Sequence, residues 1–167
     1  MDQDAKKTAL RMIPYGLYIL TAEAGEGAVA AATVNWVTQA SFEPPLVAVG
    51  VKVDSLAHGV VKETRAFALN ILGKDQESLA YTFFKSHERD GSTIGGEGFR
   101  SGETGSPILA SAPAFVECTL VETLERGDHS LFVGEVVNAE VKRQPGGRAD
   151  ESSLWLRDLG ERVFYGG

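Results

Sequence analysis

The sequence of 167 residues predicts a mainly β protein, an antiparallel barrel with a few short helices. About six stretches are rich in β-branched and aromatic residues, and most of them are separated by glycine- or proline-containing turns. Only two or three short segments have helical spacing. Many strands with few helices are typical of barrels rather than of alternating strand–helix folds. The length suits one domain, so we expect residues 1–167 to form a single domain.

The first half of the chain is predicted to consist of one short helix followed by strands. The helix is expected over 4–12, with Asp2 or Asp4 near its start and Pro14 beyond its end. Pro44 and Pro45 end the third extended stretch because proline cannot continue regular pairing. The predicted strands of this half cover 16–21, 28–33, 35–42, 46–53 and 66–72.

The second half is predicted to hold two helices, a long loop and two long strands. Asp54 and Ser55 offer an N-cap for a helix over 56–63, and 76–85 has helical spacing. Six glycines crowd the polar stretch 86–106, which predicts a loop without regular structure that is either functional or disordered. The remaining predictions are strands over 114–124 and 131–142 and a tail over 154–165 that packs back on the domain.

Composition and charge exclude several classes of function. The net charge of −7 would repel a phosphate backbone, so we expect no nucleic-acid partner. No apolar stretch is long enough to span a membrane, and the first residues do not have the pattern of a signal peptide. The single cysteine, Cys118, lies in an apolar run and is expected to be a buried hydrophobe, in keeping with a cytoplasmic protein. The three histidines do not have metal-ligand spacing.

Two short motifs imitate known sites without their context. Gly25-x-Gly27-x-x-Ala30 has the letters of a weak dinucleotide-binding motif, but the β-branched residues that follow favour a hairpin over the helix such a motif requires. Asp128, His129 and Ser130 have the letters of a catalytic triad. Extended neighbours point to opposite faces, so we expect the three side chains not to converge.

Two polar groups of residues are candidates for ligand binding. Lys52, Ser55 and His58 surround the start of a predicted helix, which suits an anion, although simple capping beside a surface lysine explains them equally well. Polar residues also alternate between two apolar strands, in the order Thr33, Asn35, Gln39 and Ser41. They fit either a solvent-facing strand edge or a strip that hydrogen-bonds a planar ligand.

In combination, these pieces resemble the flavin reductase-like family of FMN-binding split barrels. The stretches that carry the resemblance are Thr33-Val-Asn35-Trp36-Val-Thr38-Gln39-Ala-Ser41-Phe-Glu-Pro44-Pro45-Leu-Val, then Val51-Lys52-Val-Asp-Ser55-Leu-Ala-His58 leading to Phe67-Ala-Leu-Asn70-Ile-Leu, and finally Gly127-Asp128-His129-Ser-Leu-Phe-Val-Gly134-Glu135-Val136. Their order and spacing agree with the family over about residues 13–141. The resemblance implies a six-stranded Greek-key split barrel that forms a homodimer.

The resemblance also implies roles for individual residues. Thr33, Asn35 and Trp36 match positions that line the isoalloxazine ring, with Val34 between them. His129 matches the histidine beside the nicotinamide site. Residues expected along the ribityl chain and ring edge are Thr38, Gln39, Ala40 and Ser41, and those expected at the phosphate are Lys52, Ser55 and His58.

The implied activity is an NAD(P)H:flavin oxidoreductase that binds FMN, with FAD or riboflavin as alternative flavins. Val34 and Trp36 are bulkier than the residues usual in the family and would alter ring stacking or shrink the nicotinamide site. The pattern Asn35-Trp36-Val-Thr38-Gln39 is also similar to that of flavoredoxin-type members. The alternative is therefore an FMN-binding electron carrier that passes electrons to an acceptor protein without nicotinamide turnover.

Overall fold

A computed structural model describes residues 1–167, except for the side chain of Glu26. The described residues form three α-helices, α1 (Gln3–Arg11), α2 (Leu56–Thr64) and α3 (Glu77–Thr82). Short 3₁₀ turns lie at Gly25–Gly27, Ala149–Ser152 and Leu156–Leu159. The strands are β1 (Tyr18–Ala24), β2 (Ala28–Val34), β3 (Val37–Ser41), β4 (Leu46–Lys52), β5 (Ala66–Ile71), β6 (Arg89–Asp90), β7 (Thr93–Ile94), β8 (Glu97–Ser101), β9 (Pro107–Leu109), β10 (Ala114–Glu125) and β11 (His129–Val141).

The predicted mainly β class is confirmed, but the predicted count of six strands is wrong. Eleven strands form two antiparallel sheets among the described residues. The larger sheet has seven strands in the order β2-β1-β5-β10-β11-β4-β3, and the smaller has the order β6-β7-β8-β9. Closure of the larger sheet into a Greek-key split barrel stays a prediction.

The first two strands form the predicted hairpin. Ala24 pairs with Ala28 at the turn, and the register continues to Tyr18 opposite Val34. Because residue 28 begins a strand, no helix N-terminus follows Gly25 and Gly27, and the dinucleotide-binding motif is absent from this turn.

The long strands β10 and β11 form the centre of the larger sheet. Cys118 of β10 and Phe132 of β11 are fully buried in the core, as is Phe67 of the neighbouring strand β5. Gly134 leaves room for this packing, since a Cβ atom there would lie 2.6 Å from the Cβ of Cys118 and 2.7 Å from the ring of Phe67. Cys118 is buried as expected, and burial raises the pKa of its thiol to about 12.

The expectation of an irregular loop over 86–106 is wrong, because this segment contains β6, β7 and β8. Two buried polar side chains, Asn70 and Glu117, hold the part of the chain that follows β8. The Asn70 amide donates to the Thr21 hydroxyl and accepts from the Leu109 N–H, at 3.0 and 2.8 Å. The Glu117 carboxylate accepts from the backbone N–H groups of Glu103 and Thr104. These bonds hold the turn after β8 and the strand β9, with which β8 pairs.

Helix α2 and the tail agree with the predictions, whereas α3 is shorter than the expected span of 76–85. Ser55 caps α2 by accepting the His58 N–H at 3.2 Å. The tail packs back through buried Leu154, Leu156 and Leu159. These leucines join residues of β1 and α3 in a second hydrophobic core. Among the described helices, none is long and apolar enough to cross a membrane.

Candidate functional site

A cavity of about 460 Å³ lies where the end of β2, the start of α2 and the tail meet, and we call it the strip cavity. Its lining residues are Leu17, Ala32, Thr33, Val34, Asn35, Gly50, Val51, Lys52, Ser55, Phe83, Phe84, His129, Leu156, Val163, Phe164 and Tyr165. The lining is largely apolar, with a few polar groups at fixed positions. This composition is typical of small-molecule sites.

The end of β2 contributes the predicted residues Thr33, Val34 and Asn35 to the strip cavity. The Thr33 hydroxyl donates to the Ala80 carbonyl at 2.7 Å, so α3 holds this side chain. Asn35 is buried, and its amide donates to the Tyr165 carbonyl at 3.0 Å. Asn35 therefore offers a fixed hydrogen-bonding group inside a mostly apolar wall.

Lys52 and Ser55 supply the polar end of the same cavity. The Ser55 hydroxyl donates to the Lys52 carbonyl at 2.7 Å, which ties the end of β4 to the N-terminus of α2. The Lys52 ammonium lies 3.0 Å from Asp54, and this hydrogen bond raises its pKa, so the group stays charged at neutral pH. The cation and the start of a helix of nine residues together favour an anion at this end.

His58 lies outside the strip cavity, although it was predicted beside Lys52 and Ser55. Its ring is buried, and Nε2 lies 2.8 Å from the Ser130 hydroxyl. Burial, followed by the charge of Lys62, lowers the pKa of this imidazole and favours its neutral form. Its side chain is therefore part of the packing between α2 and β11.

Trp36 and Thr38 line a second, larger cavity of about 1160 Å³, which we call the outer cavity. Lys52, His129 and Tyr165 belong to both cavities and form the wall between them. The predicted residues Gln39, Ala40 and Ser41 line neither cavity and lie towards the end of the edge strand β3. In this single chain the predicted polar strip is thus divided between two cavities and an exposed edge.

His129 begins β11 and is held on both sides. Its Nδ1 atom lies 2.9 Å from the Asp128 carboxylate, and its Nε2 atom lies 2.8 Å from the Tyr165 hydroxyl. Its ring centroid is 4.5 Å from that of Trp36. Asp128 and His129 do meet, contrary to the expectation for extended neighbours, because Asp128 lies in the turn before the strand. Ser130 points the other way, as expected, so no triad forms.

Several residues that complete the site could not be predicted from the sequence. The most important is Tyr165, which contacts Asn35, Trp36 and His129. Gly50 is a second, because a Cβ atom there would lie 3.0 Å from the Trp36 ring. The apolar walls also include Phe83 and Phe84, which follow α3. The only signal for the tail was its aromatic content, which predicted packing without a location.

Comparison with known proteins places these features in a family. The model described as Flavin reductase like domain matches residues 10–157, which is most of the chain. The ferric-chelate reductase (NAD(P)H) of Archaeoglobus fulgidus is 35% identical over 137 residues, covering 80% of this chain and 79% of that protein. Diflavin flavoprotein A 1 of Synechocystis sp. is 35% identical over 149 residues, or 87% of this chain and 25% of the relative. The chain thus spans about a quarter of that relative's length.

Solved structures agree with the family assignment. An NADH:FAD oxidoreductase from Streptomyces globisporus, in complex with NAD and FAD fragments, superposes with a TM-score of 0.72 at 29% identity, covering 92% of this chain and 87% of that one. An FMN-binding protein from Thermus thermophilus superposes with a TM-score of 0.68 at 30% identity, covering 78% and 72%. From the extent of the family match, we conclude that this chain belongs to the flavin reductase like domain family.

Proposed function

We propose that the protein binds FMN non-covalently and catalyses hydride transfer from NAD(P)H to the flavin. The observation that carries this proposal is the strip cavity, in which Asn35 and the apolar walls face a cationic helix start at Lys52 and Ser55. FMN has a matching arrangement, with a flat, mostly apolar ring at one end and a phosphate group at the other. The relatives that are named as flavin and NAD(P)H oxidoreductases support the same reaction.

The apolar part of the cavity suits the isoalloxazine ring. Val34, Val51 and Leu156 provide apolar surface, and the volume of about 460 Å³ lies in the range of small-molecule pockets.

The polar part suits the phosphate. Lys52 contributes a charge, Ser55 a hydroxyl, and the first turn of α2 its unpaired N–H groups. Charge-assisted hydrogen bonds of this kind are stronger than hydrogen bonds between neutral groups. We assign phosphate binding to Lys52 and Ser55 and leave the buried ring of His58 out of it.

Bound FMN would supply the hydride acceptor, and the chain supplies position and electrostatics. His129, with its ring between Asp128 and Tyr165, lies on the wall between the two cavities. We assign it to the nicotinamide side, where it orients the donor against the ring. Hydride transfer requires the reacting atoms to approach to about 3–3.5 Å, so correct orientation is the main contribution required of the protein.

The test is an anaerobic titration of the purified protein with NADH and then NADPH, after reconstitution with FMN. We expect a yellow protein whose visible flavin absorbance falls as the nicotinamide is oxidised. A protein that is colourless and cannot be reconstituted would contradict flavin binding. A yellow protein that neither nucleotide bleaches would instead favour the alternative, an electron carrier that exchanges electrons with another protein.

We also infer a homodimer from the outer surface of the central strands. Leu124 and Leu131 pair across β10 and β11, and both are exposed. Val121 and Val137 are exposed on the same two strands. Leu131 also lines the outer cavity, so a second copy seated on this surface would adjoin the site. Light scattering coupled to gel filtration should give twice the mass of 17.8 kDa, and a mass of one chain would contradict the inference.

A further inference from the structure

Tyr165 separates the two cavities of the site. Only Lys52, His129 and Tyr165 line both cavities within the described residues, and of these Tyr165 is contributed by the C-terminal tail. Its hydroxyl lies 2.8 Å from His129 Nε2, and its ring centroid is 5.5 Å from that of Trp36. An aromatic ring thus occupies the place where a ligand in the outer cavity would meet a ligand in the strip cavity.

The tail is held there by two polar groups of the proposed site. Asn35 donates to the Tyr165 carbonyl, and His129 bonds to its hydroxyl. Tyr165 thus presents a carbonyl oxygen, a hydroxyl and a flat ring. Nicotinamide also combines a flat ring with a carbonyl oxygen and a hydrogen-bonding group. Burial raises the pKa of Tyr165, so the phenol stays neutral at physiological pH and imitates an uncharged ligand.

The closed arrangement also leaves one donor unsatisfied. The Trp36 Nε1–H is buried without an acceptor among the described residues, and the Gly166 backbone lies beside it. A buried N–H without a partner opposes burial. Beyond Val163 the tail is held by the two hydrogen bonds of Tyr165 and by Arg11, which donates to the Gly166 carbonyl at 3.3 Å and lies 4.3 Å from the centroid of the Phe164 ring. Displacement of Tyr165 therefore breaks its hydrogen bonds to Asn35 and His129 and leaves those two groups free for a ligand.

We propose that Tyr165 occupies the nicotinamide position, must leave His129 before the hydride donor binds, and so sets the affinity for the donor. This role rests on the proposed function and extends it to a residue at the entrance to the ring. Hydride transfer requires the two rings in contact, and the Tyr165 ring prevents that contact while it is in place. The apparent affinity for the donor is then the intrinsic affinity multiplied by the fraction of molecules in which Tyr165 has left this position.

The test compares Tyr165→Ala and Tyr165→Phe with the wild-type protein, each reconstituted with FMN. Tyr81→Phe is the matched control, because the Tyr81 hydroxyl donates to the Leu159 carbonyl of the same tail at 3.0 Å but lines neither cavity. Two quantities are measured: the KM for NADH, and the Kd of the unreactive product NAD⁺ from calorimetric titration. The second measurement needs no turnover.

We expect Tyr165→Ala to lower both the KM for NADH and the Kd of NAD⁺ by about threefold to tenfold, as the loss of one competing hydrogen bond and ring predicts. Tyr165→Phe should shift both values less, and Tyr81→Phe should shift neither. Unchanged or raised values in Tyr165→Ala would overturn this role for Tyr165 while leaving the proposed function intact. A wild-type protein that binds no FMN would overturn both together.

Discussion

The Nδ1 atom of His129 lies 2.9 Å from the carboxylate of Asp128, the residue before it in the chain. An ionised carboxylate can only accept hydrogen bonds, so Nδ1 of His129 carries the proton and donates it to this contact. The contact thereby fixes the orientation of the imidazole ring. The hydrogen bond to His129 lowers the pKa of Asp128, which therefore remains ionised throughout the neutral range. The Tyr165 hydroxyl then faces the other ring nitrogen, and the orientation of His129 is set from both sides.

Asp128→Asn should slow reduction of bound flavin by NADH about threefold to tenfold, the loss expected for one orienting hydrogen bond. His129→Ala should slow it further, and both variants should retain FMN. Rapid-mixing absorbance measurements of anaerobic flavin reduction check this. Asp90→Asn is the control, since Asp90 is exposed on β6 and lines neither cavity. Full activity in His129→Ala would remove the histidine from the mechanism.

Replacing both Lys52 and Ser55 with alanine should raise the Kd of FMN about tenfold to a hundredfold, because hydrogen bonds to a charged group contribute about 1.5–3 kcal/mol. Riboflavin has no phosphate, so its Kd should rise by less than about threefold in the same double variant. Fluorescence titration with each flavin gives both constants. Lys62→Ala is the matched control, because Lys62 lies in the last turn of the same helix and pairs with Glu125. Equal losses for both flavins would contradict phosphate binding at this end.

Glu117→Gln should destabilise the fold by about 1–3 kcal/mol at neutral pH, because a buried acceptor is replaced by a group that also donates. Burial alone would raise the pKa of Glu117, but donation from Thr104, Asn138 and Glu103 lowers it overall. The folded pKa is thus below the unfolded one. The stabilisation is therefore present above about pH 4.5 and is lost as pH falls through the lower folded pKa.

Urea unfolding of the wild type and Glu117→Gln across this acid range measures the effect, with Glu122→Gln as the control. Glu122 is exposed on the same strand, so its variant should follow the wild-type curve. The difference between Glu117→Gln and the wild type should shrink as the solution becomes more acidic. A difference that is constant with pH would show that the carboxylate charge does not matter.

Gly134→Ala should destabilise the protein by about 1–3 kcal/mol, the usual cost of overpacking a core. The added Cβ atom would lie 2.6 Å from Cys118 and 2.7 Å from Phe67, and both neighbours are fully buried. Gly59→Ala is the matched control, because its Cβ atom would meet nothing within 4 Å. Gly59 lies inside α2, so alanine there should stabilise the protein by up to about 1 kcal/mol. Thermal unfolding distinguishes the two variants by the sign of the change.

The Cys118 thiol should not react with a thiolate-specific reagent in the native protein. Burial raises its pKa to about 12, so the reactive thiolate is scarce and inaccessible. The same reagent in concentrated urea should modify one group per chain, since Cys118 is the single cysteine. Rapid modification of the folded protein would show that the strand around Cys118 opens readily.

The sequence predicted the elements that carry their own local signals. The apolar run 46–53 became β4, and Ser55 became the cap of α2, because alternation and capping depend on neighbours in the chain. Strands β6, β7 and β8 were missed because two of them are only two residues long and carry no alternation. The turn after β8 and the strand β9, with which β8 pairs, are held by the distant residues Glu117 and Asn70, and no local pattern reveals such contacts.

The candidate site divides in the same way. The resemblance selected Thr33, Asn35, Lys52, Ser55 and His129, and the fold brings these together. It also selected His58, whose ring turns towards Ser130 because a residue three positions after an N-cap can face the core. Tyr165 had no signal, since its meeting with His129 depends on the path of the tail across the whole molecule.

The second hydrophobic core has a consequence for biosynthesis. It joins Leu17 and Ile19, near the beginning of the chain, to Leu154, Leu156 and Leu159. A ribosome makes the chain from its beginning at about 5–20 residues per second, so the early residues wait several seconds for these partners. Until translation has passed residue 159, this core lacks the three leucines of the tail, and a nascent chain stalled earlier would be a natural client for chaperones.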